Sequence, residues 1–327
     1  MLAAALVGVS AAVVTAALPY IHIPALDLGI PIQPFGVLVA TGVLLGAELA
    51  RRYALRRGVD DDDMRTLTGW SVACGFIGAH VFDAVFYNTD KLLKEPILIL
   101  KLWDGISSYG GFIGGITGLL IYLWRHKKWP ALFADIAMVG MLPGFTIGRI
   151  GCSIVHDHIG SPTHFVLGVD YPVEFARQHG FSEAMRLHNL GFYELLYLIP
   201  INVLVLWLAF GRKRNPAGLL AALTAALYAP VRFFLEFLRL DDTDPRRFGL
   251  TFAQWMSIAA LLAAIYAVIR IIRRGVPAPL AEELDGKKGG GRPPKLPDAV
   301  AGAAPAAGAA PRKGAGSQSR RKRGKTE

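Results

Sequence analysis

A bundle of seven membrane-spanning helices is what this sequence predicts. Hydrophobic residues make up 53% of its 327 residues and charged ones only 18%, with a mean hydropathy of +0.40, a balance foreign to a soluble domain of this size. Apolar runs approaching the roughly 20 residues of a bilayer crossing recur along the chain. Lysine and arginine collect in alternate loops between those runs, which sets an orientation. The class is therefore an all-α polytopic membrane protein, with room for one extra N-terminal apolar helix. The formal net charge of +10 invites a nucleic-acid partner, but the basic residues sit mostly in short loops, which excludes that class for the body of the chain. Cys74 and Cys152 both lie in or beside apolar segments, so burial is expected rather than a disulfide framework.

Residues 1–18 form an apolar N-terminal segment compatible with a signal-like sequence, an extra span or an interfacial helix. No lysine or arginine precedes it, which argues against a signal peptide. Pro19, Pro24, Pro31 and Pro34 break residues 19–34, which read as an ordered loop near the membrane surface. Seven spans follow, at about 35–50, 67–87, 109–124, 132–150, 192–210, 217–238 and 251–272. Arg51, Arg52, Arg56 and Arg57 follow the first, Arg125, Lys127 and Lys128 the third, Arg212, Lys213 and Arg214 the fifth, and Arg270, Arg273 and Arg274 close the seventh. These loops are expected in the cytoplasm, which puts 19–34, 88–108, 151–191 and 239–250 outside. Residues 19–274 thus form the transmembrane domain. Residues 275–327 form a basic tail rich in Pro, Ala and Gly, expected to be disordered and cytoplasmic.

Ionisable residues set against hydrocarbon mark where chemistry is expected. The apolar run 136–147 leads into Gly148-Arg149-Ile150-Gly151, and His156-Asp157-His158 and Gly160 follow. A guanidinium near hydrocarbon is expensive and normally has a partner or a task. Its planar fork suits a phosphate, which it grips with two parallel hydrogen bonds. Flanking glycines let backbone or ligand come close. The stretch points to a phospholipid headgroup. The third span opens Tyr109-Gly110-Gly111, and its glycines at 110, 111, 114, 115 and 118 make a smooth face, with helix packing expected at Gly114 and Gly118. Arg232, Glu236 and Arg239 end the sixth span at spacings that share one face, which must look into the bundle or a wet cavity. A structural ion-pair network accounts for Glu236 and Arg239 as well as a functional role does. Arg232 is the functional candidate, and facing Arg149 it would make an anion site of two positive charges. Tyr193-Glu194 opens the fifth span, where the first helical turn favours a carboxylate. His80, Asp83 and Asp135 are expected to pair inside the bundle.

Taken in order, these motifs resemble prolipoprotein diacylglyceryl transferase, a family of integral enzymes of the bacterial cytoplasmic membrane. The resemblance runs from about Ile21 to Ile272. It is carried by Pro34-Phe35-Gly36, Val85-Phe86-Tyr87-Asn88, Gly105 to Gly118, Gly148-Arg149-Ile150-Gly151 through Gly160, Tyr193-Glu194, Arg232 to Arg239, and Gly249-Leu250-Thr251 before Gln254-Trp255. It implies seven spans with the amino end outside. It also implies a reaction: phosphatidylglycerol donates its diacylglyceryl group to the thiol of a cysteine in a prolipoprotein signal peptide, a thioether forms, and glycerol-1-phosphate leaves. The implied partners are that lipid, those signal peptides and the membrane, with no metal and no dissociable cofactor.

Arg149 matches the family's signature arginine and would hold the headgroup, with Arg232 as the second important arginine and Gly151 and Gly160 beside them. Glu236, Arg239, Gly110, Gly111, Tyr193 and Glu194 would support them. Positive charge at the phosphate stabilises its departure. The attacking thiol, with an ordinary pKa near about 8.5, needs a base or a positive field. Here the chain departs from the family pattern. Tyr109 stands where a histidine is usual, Phe35 where a tyrosine is, Cys152 and Val155 replace asparagines, Asp157 a glutamate and Phe145 a glutamine. His156 or His158 is available as the base, pairing with Asp157 if the chain turns there; alternatively Tyr109 acts as a hydrogen-bond donor. The competing readings are a divergent member acting on another lipid or acceptor, and a non-catalytic phospholipid-binding protein. A transporter ranks last, because no internal repeat is present.

Overall fold

The computed structural model describes residues 18–281 except 22, 25, 28–30, 102–104, 106, 212–213 and 241–245. The expected N-terminal apolar segment, apart from Leu18, and most of the 275–327 tail lie outside the described residues. The helices are α1 (Pro34–Arg56), α2 (Asp61–Phe82), a short α3 (Thr89–Lys94), α4 (Ser108–Arg125), α5 (Pro130–Val155), a short α6 (Val173–Gln178), α7 (Leu190–Leu206), α8 (Leu219–Leu235) and α9 (Phe252–Arg274). The seven long ones coincide with the seven expected runs. Six of them are long and apolar enough to cross a membrane, α2 and α7 extended by π turns and α8 by a 3₁₀ turn. The other, α4, has 18 residues, and its glycines, Tyr109 and Tyr122 dilute its hydropathy.

Boundaries move outward where charge or capping favours a helix end. α2 starts with Asp61, Asp62 and Asp63 in its first turn, where the macrodipole favours carboxylates, ahead of the expected start at 67. Pro34 opens α1 with its φ already helical. α9 opens on a capping box between Thr251 and Gln254.

Two pairs of helices touch backbone to backbone. A Cβ on Gly42 would lie 2.6 Å from the carbonyl oxygen of Gly144, and one on Gly46 would lie 2.6 Å from that of Gly140, so α1 and α5 cannot accept side chains there. α2 and α4 meet the same way: a Cβ on Gly78 would lie 2.6 Å from Gly110 O, and one on Gly114 would lie 2.2 Å from Cys74 O. Packing is thus what Gly110, Gly114 and Gly118 serve, while Gly111 makes only ordinary contact with Ala79. Tyr53, Leu132, Phe133, Ile136, Leu198, Val205 and Leu220 fill the core where α1, α5, α7 and α8 converge. Leu44, Val72, Ile116, Trp124, Val203 and Ile272 stay exposed on the bundle's outside, as lipid-facing positions should.

The segment expected as an outer loop between α5 and α7 instead builds a sheet. Its strands are β1 (Leu18–Pro19), β4 (Ile159–Pro162), β5 (Val169–Tyr171) and β6 (Met185–Asn189), in the order β1-β5-β6-β4. β1 runs parallel to β5, while β5–β6 and β4–β6 are antiparallel. β2 (Leu26–Asp27) and β3 (Pro31–Ile32) form a separate hairpin within the expected 19–34 loop. Ile159, Val169, Tyr171 and Leu187 make the small core of the sheet, with Leu18, Tyr20 and Phe175 against it. A backbone bridge from Gly160 to Arg239 ties β4 to the chain just beyond α8.

Candidate functional site

α5 carries the centre of the site. It runs past its expected end at 150 to Val155, so Gly148-Arg149-Ile150-Gly151 lies within the helix. Arg149 is buried, 9% exposed. Its Nη2 pairs with Glu194 Oε2 on α7 at 3.1 Å, and its Nη1 donates to Cys152 Sγ at 3.7 Å. Its guanidinium lies over the Phe145 ring, 4.8 Å from the centroid. Its Nε has no hydrogen-bond partner among the described residues.

α8 completes the cluster. The Tyr228 hydroxyl donates to the second oxygen of Glu194, and one turn on Arg232 pairs with Glu236. The helix then tightens into a 3₁₀ turn, and Arg239 reaches back to Glu236 at 3.7 Å. Glu194 acts electrostatically on both Arg149 and Arg232. Arg149 and Arg232 thus meet the buried Glu194, and Arg232 and Arg239 meet the buried Glu236. In a low-dielectric interior two neighbouring guanidiniums favour an anion far more than they would in water.

The remaining sequence candidates divide. The chain turns at His156, which caps α5 in a left-handed conformation with φ 55°. The residue is buried among Tyr20, Tyr171 and Phe175, not solvated. Its Nε2 faces Ile21 O at 3.1 Å, and its Nδ1 faces the Tyr171 hydroxyl at 3.0 Å and Asn189 Nδ2 at 3.1 Å. Both ring nitrogens are thus engaged in joining helix to sheet. Burial raises the Tyr171 hydroxyl well above its ordinary pKa, so it stays a neutral partner. The same turn lets His158 Nδ1 donate to Asp157 Oδ1 at 2.6 Å, both side chains being partly exposed.

Tyr109 packs edge-on against Phe252 at 5.2 Å. Gly151 and Gly160 are close-packing positions. A Cβ on Gly151 would lie 2.8 Å from the Phe35 ring, and one on Gly160 would lie 2.4 Å from Leu238 O. The Tyr193 hydroxyl lies 2.9 Å from His188 Nδ1, and Tyr193 borders an apolar groove of about 360 Å³ with Phe165, Leu167, Leu196, Tyr197 and Pro200. The other three ionisable residues singled out find partners: His80 faces the carbonyls of Gly105 and Leu98, Asp83 accepts from Asn88, and Asp135 accepts from backbone amides of Gly218 and Ala221.

Two further residues of the site were not singled out from the sequence. Tyr228 precedes Arg232 by four residues, so the stripe 228, 232, 236 was a readable signal. Asn189 caps α7 by accepting from Phe192 N–H at 3.0 Å while donating to Ser153 O at 3.1 Å, and no local pattern announces that long-range bond.

The family model for prolipoprotein diacylglyceryl transferase matches residues 24–270, which include every helix of the charged cluster. A phosphatidylglycerol–prolipoprotein diacylglyceryl transferase of Thermosynechococcus vestitus is 28% identical over 260 residues, covering 78% of this chain and 94% of that protein. One of Staphylococcus xylosus is 31% identical over 261 residues, covering 79% and 91%. A Streptomyces coelicolor protein, phosphatidylglycerol–prolipoprotein diacylglyceryl transferase 2, is 30% identical over 254 residues, covering 75% and 77%. These bacterial relatives, the family match and the run of apolar helices describe one kind of membrane protein: the chain belongs to the prolipoprotein diacylglyceryl transferase family.

Proposed function

We propose that this chain transfers the diacylglyceryl group of phosphatidylglycerol to the thiol of a signal-peptide cysteine in prolipoproteins. A thioether forms and glycerol-1-phosphate leaves. The observation that carries the reading is Arg149, a buried guanidinium held on one side by Glu194, with an Nε–H donor that has no partner among the described residues, and with Arg232 beside the same carboxylate. A phosphate diester matches both the charge and the fork. As the bond between the diacylglyceryl carbon and the phosphate oxygen breaks, negative charge grows on the phosphate. Arg149 and Arg232, fixed in place beforehand by Glu194, Tyr228 and Glu236, stabilise that charge without reorganising; one such donor is worth about 2.7–4 kcal/mol. The groove beside Tyr193 suits an acyl chain.

In this reading α4 also crosses the membrane, which brings the spans of a catalytic domain over 19–274 to seven. The basic alternate loops support an orientation with the sheet and the arginine cluster on the outer side of the bacterial cytoplasmic membrane and the 275–327 tail in the cytoplasm. The test is complementation. The chain is expressed in a bacterium depleted of its own diacylglyceryl transferase, and a reporter lipoprotein is weighed by mass spectrometry. A gain of the diacylglyceryl mass is expected; no gain from chain folded in the membrane overturns the reading. Tyr109, standing where the family usually has histidine, favours one alternative: a divergent member that binds the phospholipid but serves another acceptor or none. Binding of phosphatidylglycerol without reporter lipidation would mark it.

A further inference from the structure

The proposed transfer needs a group to take the proton of the incoming thiol, and Tyr109 occupies the position where the family usually carries a histidine. We infer that His158 is that base and that Asp157 is its positioning residue. This rests on the transferase reading above.

The left-handed turn at His156 brings the next two residues back beside the end of α5. There Cys152 Sγ, a carboxylate oxygen of Asp157 and a ring nitrogen of His158 all lie within 4.8 Å of one another. Cys152 Sγ in turn receives the Arg149 Nη1 hydrogen bond at 3.7 Å. The imidazole is therefore separated from the phosphate-binding guanidinium by about the width of one side chain. The hydrogen bond to Asp157 at 2.6 Å uses Nδ1–H and leaves Nε2 with its lone pair, the tautomer a base requires. The His158 and Asp157 side chains are 29% and 39% exposed, so a peptide cysteine can reach them. The other histidines nearby are committed: His156 is buried with both nitrogens engaged, and His188 contacts Tyr193 at 2.9 Å. The titratable groups beside His158 are Asp157, which holds its Nδ1, and Cys152, which links it to Arg149.

The step balances without a co-reactant. Nε2 accepts the thiol proton. The thiolate sulfur forms its bond to the glycerol carbon as that carbon's bond to the phosphate oxygen breaks. The oxygen leaves with the electron pair, and the imidazolium returns its proton to the product phosphate or to water.

The test uses the full chain in nanodiscs containing phosphatidylglycerol, with a reporter signal peptide, and follows the lipidation rate against pH. His158→Gln is expected to lower kcat about 100-fold or more with an unchanged KM for lipid, and to change the shape of the pH profile as loss of a general base does. Asp157→Asn is expected to lower kcat less, again with an unchanged KM, and Asp157→Glu to restore part of the rate; a purely structural contact would not split kcat from KM in this way. Free imidazole is expected to restore rate to His158→Ala, which also answers a folding defect in the glutamine variant. His158→Gln with the wild-type rate and profile overturns the base role and leaves the transferase reading standing. An inactive wild-type chain that still binds phosphatidylglycerol overturns the transferase reading, and this inference with it. Loss of rate with EDTA and recovery with zinc would make Cys152, Asp157 and His158 a metal site and overturn the base role.

Discussion

The two ends of α5 hold buried charge in opposite ways. Near its start, the fully buried Asp135 spends both carboxylate oxygens on another helix: Oδ2 accepts from Gly218 N–H at 2.8 Å and Oδ1 from Ala221 N–H at 2.9 Å, which satisfies donors at the first turn of α8. Arg57, also buried, stacks on Tyr53 at 4.9 Å and acts electrostatically on Asp135. Near its other end, Arg149 has one carboxylate partner, one sulfur and one ring, and a donor left over. Burial and charge are common to both places, so neither identifies function. What separates Asp135 from Arg149 is whether the fold consumes the group's hydrogen-bonding capacity.

Substitutions at three positions test that contrast. The largest effect is expected from Arg149→Ala, which should lower reporter lipidation by about 100-fold or more. It also strands Glu194, and breaking a buried pair costs about 3–5 kcal/mol, so the melting temperature in detergent must be read alongside. Arg149→Lys keeps the charge and loses the fork; it should stay folded and remain slow. An active Arg149→Ala protein would erase the distinction between the two ends.

Next, Asp135→Ala should do the reverse. It unpairs two buried amides, at about 1–3 kcal/mol each, and should lower the melting temperature while the folded fraction keeps its kcat. A wild-type melting temperature with lost activity would show that the Asp135 end is functional after all.

The smallest effect belongs to the sheet. Burial holds His188 below the ordinary histidine pKa. The unfolded chain therefore binds the proton more readily than the folded one. The contribution is present above about pH 6.5 and is lost as pH falls through the depressed folded value. His188→Gln should remove that acid sensitivity, read as amide exchange of β4–β6. Equal loss of protection in both proteins at acid pH would assign the sensitivity elsewhere.

The helices were legible because lipid demands long apolar runs, and α4 was found in spite of its glycines because their own spacing is helical. Boundaries were less legible, since Asp61, Asp62 and Asp63 belong to a helix yet read as loop. The sheet was not legible. Its strands have two to five residues, too few for an alternation to stand out, and β1 pairs with β5 from far along the chain. Arg149, Glu194 and Arg232 stood out as charges against hydrocarbon, and the structure brings them together. His156 read as an available base because Tyr20, Tyr171 and Phe175, which enclose it, arrive from separate segments. Gly110, Gly151 and Gly160 read as neighbours of a ligand because a glycine looks the same in sequence whether its missing side chain admits a lipid or another backbone.

The glycine contacts also set an order of assembly. α2 and α4 are neighbours in the chain and close on each other through Gly78, Gly110 and Gly114 as soon as both have left the ribosome. α1 has no such partner then; the glycines that receive Gly42 and Gly46 are Gly144 and Gly140 on α5, inserted only after the α2–α4 pair. α1 waits in lipid with its notched side open. Arg149 emerges one turn after Gly144, and its counter-ion Glu194 later still, so the nascent chain carries an unpaired guanidinium until α7 arrives.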